Sequence, residues 1–280
     1  MPRKWCRVLA ESSRIRSFAA VLSAAALLLV PACGGDQVQL RSQVDRPGGA
    51  AAAPHWDYDA EGPDHWAELD QEFVTCRSGH EQSPIDLPGH TRSDPVEHIS
   101  LDYGTVPTVR LVNNGHTVQA NFQPGNGNRL VTGEVPYELT QFHFHLPSEH
   151  TIDGAGATME LHLVHKSSAG KIAVLGVLLR AADGPSAFDS ILTAAPEVTD
   201  AEATVEGAVD LRALLPADLD QFRYQGSLTT PPCSEGVSWT VLEHPVPVAT
   251  AAADRYRILF AHSNRPIQPL NGRSVTLAGG

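Results

Sequence analysis

From His55 onward the chain alternates apolar and polar positions in short runs that break at turn residues. The clearest runs are "TVRLVNNGHTVQANF", "YELTQFHFHL", "TMELHLVH" and "KIAVLGVLL". Gly125, Gly127, Asp153-Gly154, Gly156 and Gly170 supply the breaks between them. Period-two alternation marks strands. Patterns of period 3.6 are few, the best lying near Pro185–Ala195 and Ala249–Phe260. The expected fold is mainly β, in the α+β class, with peripheral short helices in a single domain.

One stretch concentrates unusual chemistry. Thr140 to His165, "TQFHFHLPSEHTIDGAGATMELHLVH", holds five of the thirteen histidines. Side chains at i and i+2 share one face of a strand. Gln141, His143 and His145 therefore point one way, and Phe142 and Phe144 the other. Likewise Glu160, His162 and Val164 share a face, opposite Leu161, Leu163 and His165. A turn at "DGAG" would fold the segment and bring His162 opposite or nearly opposite His145. Three imidazoles then converge from two antiparallel strands. Three neutral histidines plus one open position is the arrangement of a catalytic zinc site. Gln141 and Glu160 suit a supporting role, Gln141 accepting from His143 and Glu160 from His162, which fixes the ligand tautomers. His150 and His165 read as core histidines.

A rival pattern overlaps this one. "HFHLPSEHTIDGAG" fits the H-x-H-x3-E-x6-G segment of cupins, with Glu149 as a ligand to iron or manganese. A cupin needs a second motif, P-x-G-x2-H-x3-N, and none stands near His162.

Upstream of His55 the composition changes. Arg3, Lys4, Arg7, Arg14 and Arg16 precede "FAAVLSAAALLLV", an apolar run from Phe18 to Val30. A bilayer-spanning helix needs about twenty residues, so this run suits a signal-peptide core. It leads into "VPACGG", which resembles a bacterial lipobox with Cys33 as the lipidated residue. Pro31 is unusual within such a box, and the alternatives are ordinary signal cleavage nearby and an uncleaved N-terminal anchor. Residues 1–33 thus read as signal peptide and 34–54 as a flexible Gly/Ala/Pro-rich tether. Residues 55–280 form the folded domain. An exported protein held at the cell envelope or in the periplasm follows, touching membrane only through its lipid.

Charge narrows the partners. The formal net charge is -12. Losing residues 1–33 removes five bases and one acid and moves it to -16. So acidic a chain repels phosphate backbones, which excludes nucleic acid. Neither a GxxxxGK[ST] loop nor a convincing GxGxxG after a strand occurs. Cys6 lies in the signal and Cys33 would carry lipid. Cys76 and Cys233 remain, and an oxidising compartment favours a bridge between them.

The motifs in their order now identify a resemblance. "HWDYDAEGPDHW", "CRSGHEQSPIDL", "LVNNGHTVQANF", "QFHFHLPSEHTIDG", "ELHLVH", "IAVLGVLL", "YQGSLTTPPCSEGVSWTV" and "NRPIQPLNGR" resemble the α-class carbonic anhydrases from His55 to Leu277. The resemblance implies a twisted, mostly antiparallel sheet of about ten strands, with one zinc ion (Zn2+) at the bottom of a conical cleft. It implies reversible hydration of carbon dioxide to bicarbonate and a proton, by a monomer or dimer. His143, His145 and His162 match the ligands. Thr229 matches the threonine that accepts a hydrogen bond from the hydroxide nucleophile and donates to a buried glutamate, here Glu149. Thr230 matches the residue lining the bicarbonate site, and His116 the proton shuttle. Tyr58, Asn114 and Gln119 match the residues ordering the shuttle's water chain. Val164, Val174, Leu228 and Trp239 match the apolar wall, and Cys76 and Cys233 the disulfide of exported members. The family usually has Asn two residues before its "RPxQP" arginine, and here Ser263 stands there. In the family the backbone carbonyl at this position orients a ligand histidine, so the change should bear only on local packing. The competing reading on the same fold is a non-catalytic binding module, and such relatives lack a zinc ligand.

Overall fold

Alternation along the chain builds one large sheet. In the computed structural model, which describes residues 54–89 and 99–279, eleven strands pair into it. They are β1 (Ser100–Asp102), β2 (Arg110–Asn113), β3 (Val118–Asn121), β4 (Arg129–Thr132), β5 (Val135–His145) and β6 (Met159–Ser167). β7 (Ile172–Ala182), β8 (Glu202–Thr204), β9 (Gln221–Ser227), β10 (Glu235–Ala249) and β11 (Thr276–Ala278) complete it. Their order is β8-β2-β3-β5-β6-β7-β10-β9-β11, with β4 paired to β5 and β1 to β4. Every pair is antiparallel except β7 with β10. A parallel pair needs a crossover, and the chain between these two supplies it. The expected signal peptide, Cys33 and all of the tether but Pro54 lie outside the described residues.

Strand parity sends side chains to two apolar clusters. Phe142, Phe144, Leu161, Leu163, Leu175 and Val177 enter the main core. The helices α3 (Asp189–Thr193) and α4 (Thr250–Leu259) cover it with Ile191, Leu192, Ala252, Ala253 and Tyr256. Both helices lie where the 3.6-residue periodicity placed them. The opposite face of β7, β9 and β10 carries a second cluster of Val174, Trp239, Val241, Phe222 and Tyr224. Full burial of a side chain of this size stabilises the fold by about 1.5–3 kcal/mol.

Register corrects one expectation. His162 pairs with His143 rather than His145, and Glu160 pairs with His145. The connection is longer than a single tight turn. It contains a small hairpin of Thr151–Ile152 with Ala155–Gly156, turned at Asp153 and Gly154 with positive φ, and Asp86–Leu87 pairs alongside. A shift of one residue would have turned the histidines into the core. The observed two-residue shift keeps all three on one face. A bulge between Val164 and His165 follows and re-sets the pairing toward Leu139.

Two devices tie the chain's early loops beneath the sheet. Cys76, on the short helix α2 (Thr75–Ser78) that follows α1 (Trp66–Leu69), is disulfide-bonded to Cys233. The Arg265 guanidinium, 1% exposed, donates to Cys76 O, Ser83 O and Gln82 Oε1 at 2.7–2.9 Å. Burial lowers its pKa to about 10, against the pull of Glu149 and Tyr58. The disulfide spans 157 residues of sequence, and closing so long a loop in the unfolded chain stabilises by roughly 5 kcal/mol in the chain-entropy model. Replacing both cysteines by serine should lower the melting temperature by on the order of 10 °C. A thermal melt followed by circular dichroism checks this, and a midpoint within a degree or two of wild type counts against it.

Candidate metal centre

The parity of β5 and β6 brings three imidazoles together. One ring nitrogen from each of His143, His145 and His162 lies within 4.8 Å of the others. The ring centroids are 4.5–5.2 Å apart. Each outer nitrogen is already committed. His143 Nδ1 bonds Gln141 Oε1 at 2.8 Å, His145 Nδ1 bonds the Ser263 carbonyl at 2.5 Å, and His162 Nε2 bonds Glu160 Oε1 at 2.9 Å. These partners only accept, so the outer nitrogens carry the protons. That leaves His143 Nε2, His145 Nε2 and His162 Nδ1 as bare lone pairs. Burial lowers the pKa of all three rings, that of His145 to about 4. Neutral rings at ordinary pH are what a metal requires.

An orphaned atom bears on the fit. His145 Nε2 is buried without a hydrogen-bond partner. A buried polar atom without a partner costs free energy, and a cation coordinated there removes the cost. Three imidazoles, each held to a defined tautomer, suit zinc among common divalent ions.

Around the rings, rows across the sheet set the walls. Gln141, Val164, Val174, Trp239 and Tyr224 stand side by side on five adjacent strands. Val164, Val174, Leu228 and Trp239 belong to one apolar cluster. The next row holds His143, His162 and Gly176. A Cβ at Gly176 would come within 2.9 Å of Glu160 Oε1, so glycine leaves room for that carboxylate. Glu160 is completely buried. Burial raises its pKa, but His150 and His162 overcome this and hold it well below the usual carboxylate range.

Glu149 behaves oppositely. Burial raises its pKa to about 7, opposed by the His162 ring, the Arg265 backbone N–H and the Thr229 hydroxyl. Its Oε1 accepts from Arg265 N at 2.8 Å. Its Oε2 has no hydrogen-bond partner of ordinary distance and angle, and the Thr229 hydroxyl is near enough to the carboxyl group to lower its pKa. Thr229 is buried and Thr230 half-buried, in the loop that the Cys233 N–H closes onto Thr230 O at 2.8 Å.

The rim carries His116 on a positive-φ turn at Gly115. Asn114 Oδ1 accepts from the backbone N–H of His116 and of Thr117. Asn114 Nδ2 reaches Gln119 Oε1 at 3.5 Å, and Gln119 pairs with the ligand His143 across β3 and β5. A polar path thus runs from the ligand strand to the rim. Tyr58 flanks it, its pKa pushed well above the usual phenol range by burial and by Glu149. His116 stacks flat on Trp56, centroids 3.7 Å apart and planes within 6°. Burial lowers its pKa, as does His55, while Asp57 raises it.

Sequence reasoning missed Trp56, Gly176 and the partners of His150. Trp56 sits in "HWDYD", where nothing marks it as a stacking partner for a histidine sixty residues on. His150 and His165 are both fully buried. His165 bonds the Tyr103 hydroxyl at 2.6 Å, whereas His150 bonds Glu160, behind the ligands. Ser263 keeps its carbonyl on His145, and its hydroxyl accepts from Leu146 N at 3.0 Å.

Known proteins share this architecture. The profile of the eukaryotic-type carbonic anhydrases matches residues 61–279. A carbonic anhydrase of Klebsiella pneumoniae is 40% identical over 227 residues, covering 80% of this chain and 91% of that protein. One from Nostoc sp. is 40% identical over 232 residues, covering 80% and 86%. The solved α-carbonic anhydrase of Thermovibrio ammonificans, in complex with the inhibitor sulfanilamide, superposes with a TM-score of 0.76 at 36% identity. It is covered in full, against 80% of this chain. On fold, site and sequence together, the chain belongs to the eukaryotic-type, or α-class, carbonic anhydrase family.

Proposed function

We propose that the protein catalyses the reversible hydration of carbon dioxide to bicarbonate and a proton, with one zinc ion held by His143, His145 and His162. The observation that carries this reading is the convergence of three neutral imidazoles whose outer nitrogens are all occupied by acceptors. When bound, zinc supplies Lewis acidity that lets water lose a proton near pH 7.

The chain's own residues do the rest. Thr229 accepts a hydrogen bond from the attacking hydroxide and donates its own proton toward Glu149. That aims a lone pair at the substrate carbon. A cation at the ligand nitrogens favours ionised Glu149, completing it as acceptor. Carbon dioxide has no net dipole, so Val164, Val174, Leu228 and Trp239 offer it an apolar wall. Thr230 lines the place of the bicarbonate formed. Tyr58, Asn114 and Gln119 order water toward His116, which carries the proton to buffer.

The complete ligand set, with Thr229 and Glu149, argues against a non-catalytic module. The family match removes the oxygenase reading. The disulfide and the basic, then apolar, N-terminal segment support export, with Cys33 as lipid anchor. Stopped-flow hydration of carbon dioxide, with zinc quantified in the same sample, tests the proposal. Stoichiometric zinc without activity would overturn it.

Each of His143→Ala, His145→Ala and His162→Ala should remove zinc and nearly all activity, and full zinc retention in any one removes that residue from the ligand set. Thr229→Ala should keep zinc yet lose about a hundredfold in rate, the scale of misplacing a reacting atom. Wild-type kinetics there would rule the threonine out. His116→Ala should lower kcat in weak buffer with kcat/KM nearly unchanged, and added imidazole should restore much of it. Because burial lowers the His116 pKa, the shuttle gives its proton to buffer readily and the wild-type profile should break below pH 6.5. An unchanged kcat in weak buffer means that protons leave by another group, such as His55 or His65.

A further inference from the structure

A buried polar chain starts at a ligand and ends beside the Thr229 loop. His162 Nε2 bonds Glu160 Oε1 at 2.9 Å, and the same oxygen bonds His150 Nδ1 at 2.8 Å. Glu160 Oε2 accepts from the backbone N–H of Glu149 and His150 at 2.9 and 2.8 Å. His150 Nε2 pairs with the Tyr224 hydroxyl at 2.7 Å, which donates to Ser83 Oγ at 2.9 Å. Ser83 Oγ also accepts from Ser227 N at 3.0 Å, and Ser83 N donates back to Ser227 Oγ at 2.9 Å. Ser227 O accepts from Trp239 Nε1 at 2.9 Å. The next residues are Leu228, Thr229 and Thr230.

We propose that His150, Tyr224 and Ser83 are positioning residues that lock the His162 ring and the Thr229 loop to each other, so that metal held at one end stiffens the loop at the other. This rests on the zinc reading above.

Three observations support it. The members come from four separate segments, yet every link is within hydrogen-bond distance and the chain is sealed from water. Glu160, His150, Ser83 and Ser227 are completely buried and Tyr224 nearly so. In such surroundings an unpaired group is costly, so moving one link strains the next. Packing closes the alternatives as well. A Cβ at Gly226 would lie 2.2 Å from Ser83 Oγ, and one at Gly176 would crowd Glu160. Finally, Ser227 uses its N–H, carbonyl and hydroxyl within this neighbourhood, the hydroxyl donating to Leu228 O at 2.7 Å. The start of the Thr229 loop is thereby fixed by groups that report to His162. Outer partners of a metal-ligating histidine typically change metal affinity 10–100-fold when removed.

The test uses the full chain with zinc removed and restored. Zinc affinity is measured by competition with a chelator, and amide exchange of Ser227 and Leu228 is followed with and without metal. In wild type, zinc should slow exchange at Ser227. Tyr224→Phe keeps the ring that stacks on Trp239 and loses only the hydroxyl. It should weaken zinc about tenfold and abolish the zinc-dependent slowing at Ser227, while amides of β6 and β7 stay protected. Ser83→Ala should do the same. His150→Gln, which keeps a donor for Glu160, should hold zinc better than His150→Leu. Wild-type zinc affinity together with wild-type zinc-dependent slowing in both Tyr224→Phe and Ser83→Ala would overturn the proposal. Those two variants decide the matter even if His150→Leu fails to fold. A wild-type chain that binds no zinc overturns the metal reading itself, and this inference with it.

Discussion

A carboxylate with no exposure to water, Glu160, is the constraint around which the site is organised. Burying a negative charge is costly unless several donors face it. Four donors do so here: two backbone N–H groups, the His150 ring and the His162 ring. They hold it ionised despite the burial that pushes its pKa up. The backbone from Glu149 to His150 must pass close to β6 for this to happen, and β7 must present a glycine at position 176. The approach of loop to sheet, the orientation of His162 and the placement of Glu149 are thus consequences of satisfying one buried anion.

The sheet turns that local demand into a rigid site. β5 and β6 lie in the middle of the strand order, each paired on both sides, so their side chains have little freedom. Ligands projecting from such strands are held more firmly than ligands on loops. The residues proposed to handle substrate and protons come from the periphery instead. Thr229 sits in a loop pinned by Cys233, and His116 on a turn pinned by Asn114. The rigid histidine cluster, the braced Thr229 loop and the His116 turn follow the gradient from the sheet's centre to its edge.

How far the sequence reached follows the same gradient. Period-two alternation was enough for the strands, the shared face of His143 and His145, and the face of His162 with Glu160. It could not give the register. Pairing distance depends on the length of the connection, and the Thr151–Gly156 hairpin hides within what reads as a single turn. Long-range partners were equally beyond reach. No spacing rule brings Trp56 onto His116, or Tyr224 and Ser83 behind His150. The parallel pairing of β7 with β10 inside the large sheet was invisible for a related reason: parallel and antiparallel strands share the same alternation. The resemblance to a known family filled the gap at Thr229, Thr230 and His116, where the local pattern shows only loops.

The two buried glutamates complete the argument. Glu149 and Glu160 both lie near His162, yet burial wins at one and is overcome at the other. The difference is the number of donors. Glu160 has four, while Glu149 has one formed bond, from Arg265 N, and an Oε2 without a partner. A carboxylate saturated with donors cannot take part in further proton traffic, so Glu160 can only orient. A carboxylate with a spare lone pair beside a hydroxyl can polarise that hydroxyl, which fits Glu149 to act on Thr229. Environment alone separates the roles of two identical side chains. Arg265 joins Glu149 to the rest of the fold, with its backbone on that carboxylate and its guanidinium on the Cys76 carbonyl. Glu149 and the disulfide that pins the Thr229 loop are therefore held by the same residue.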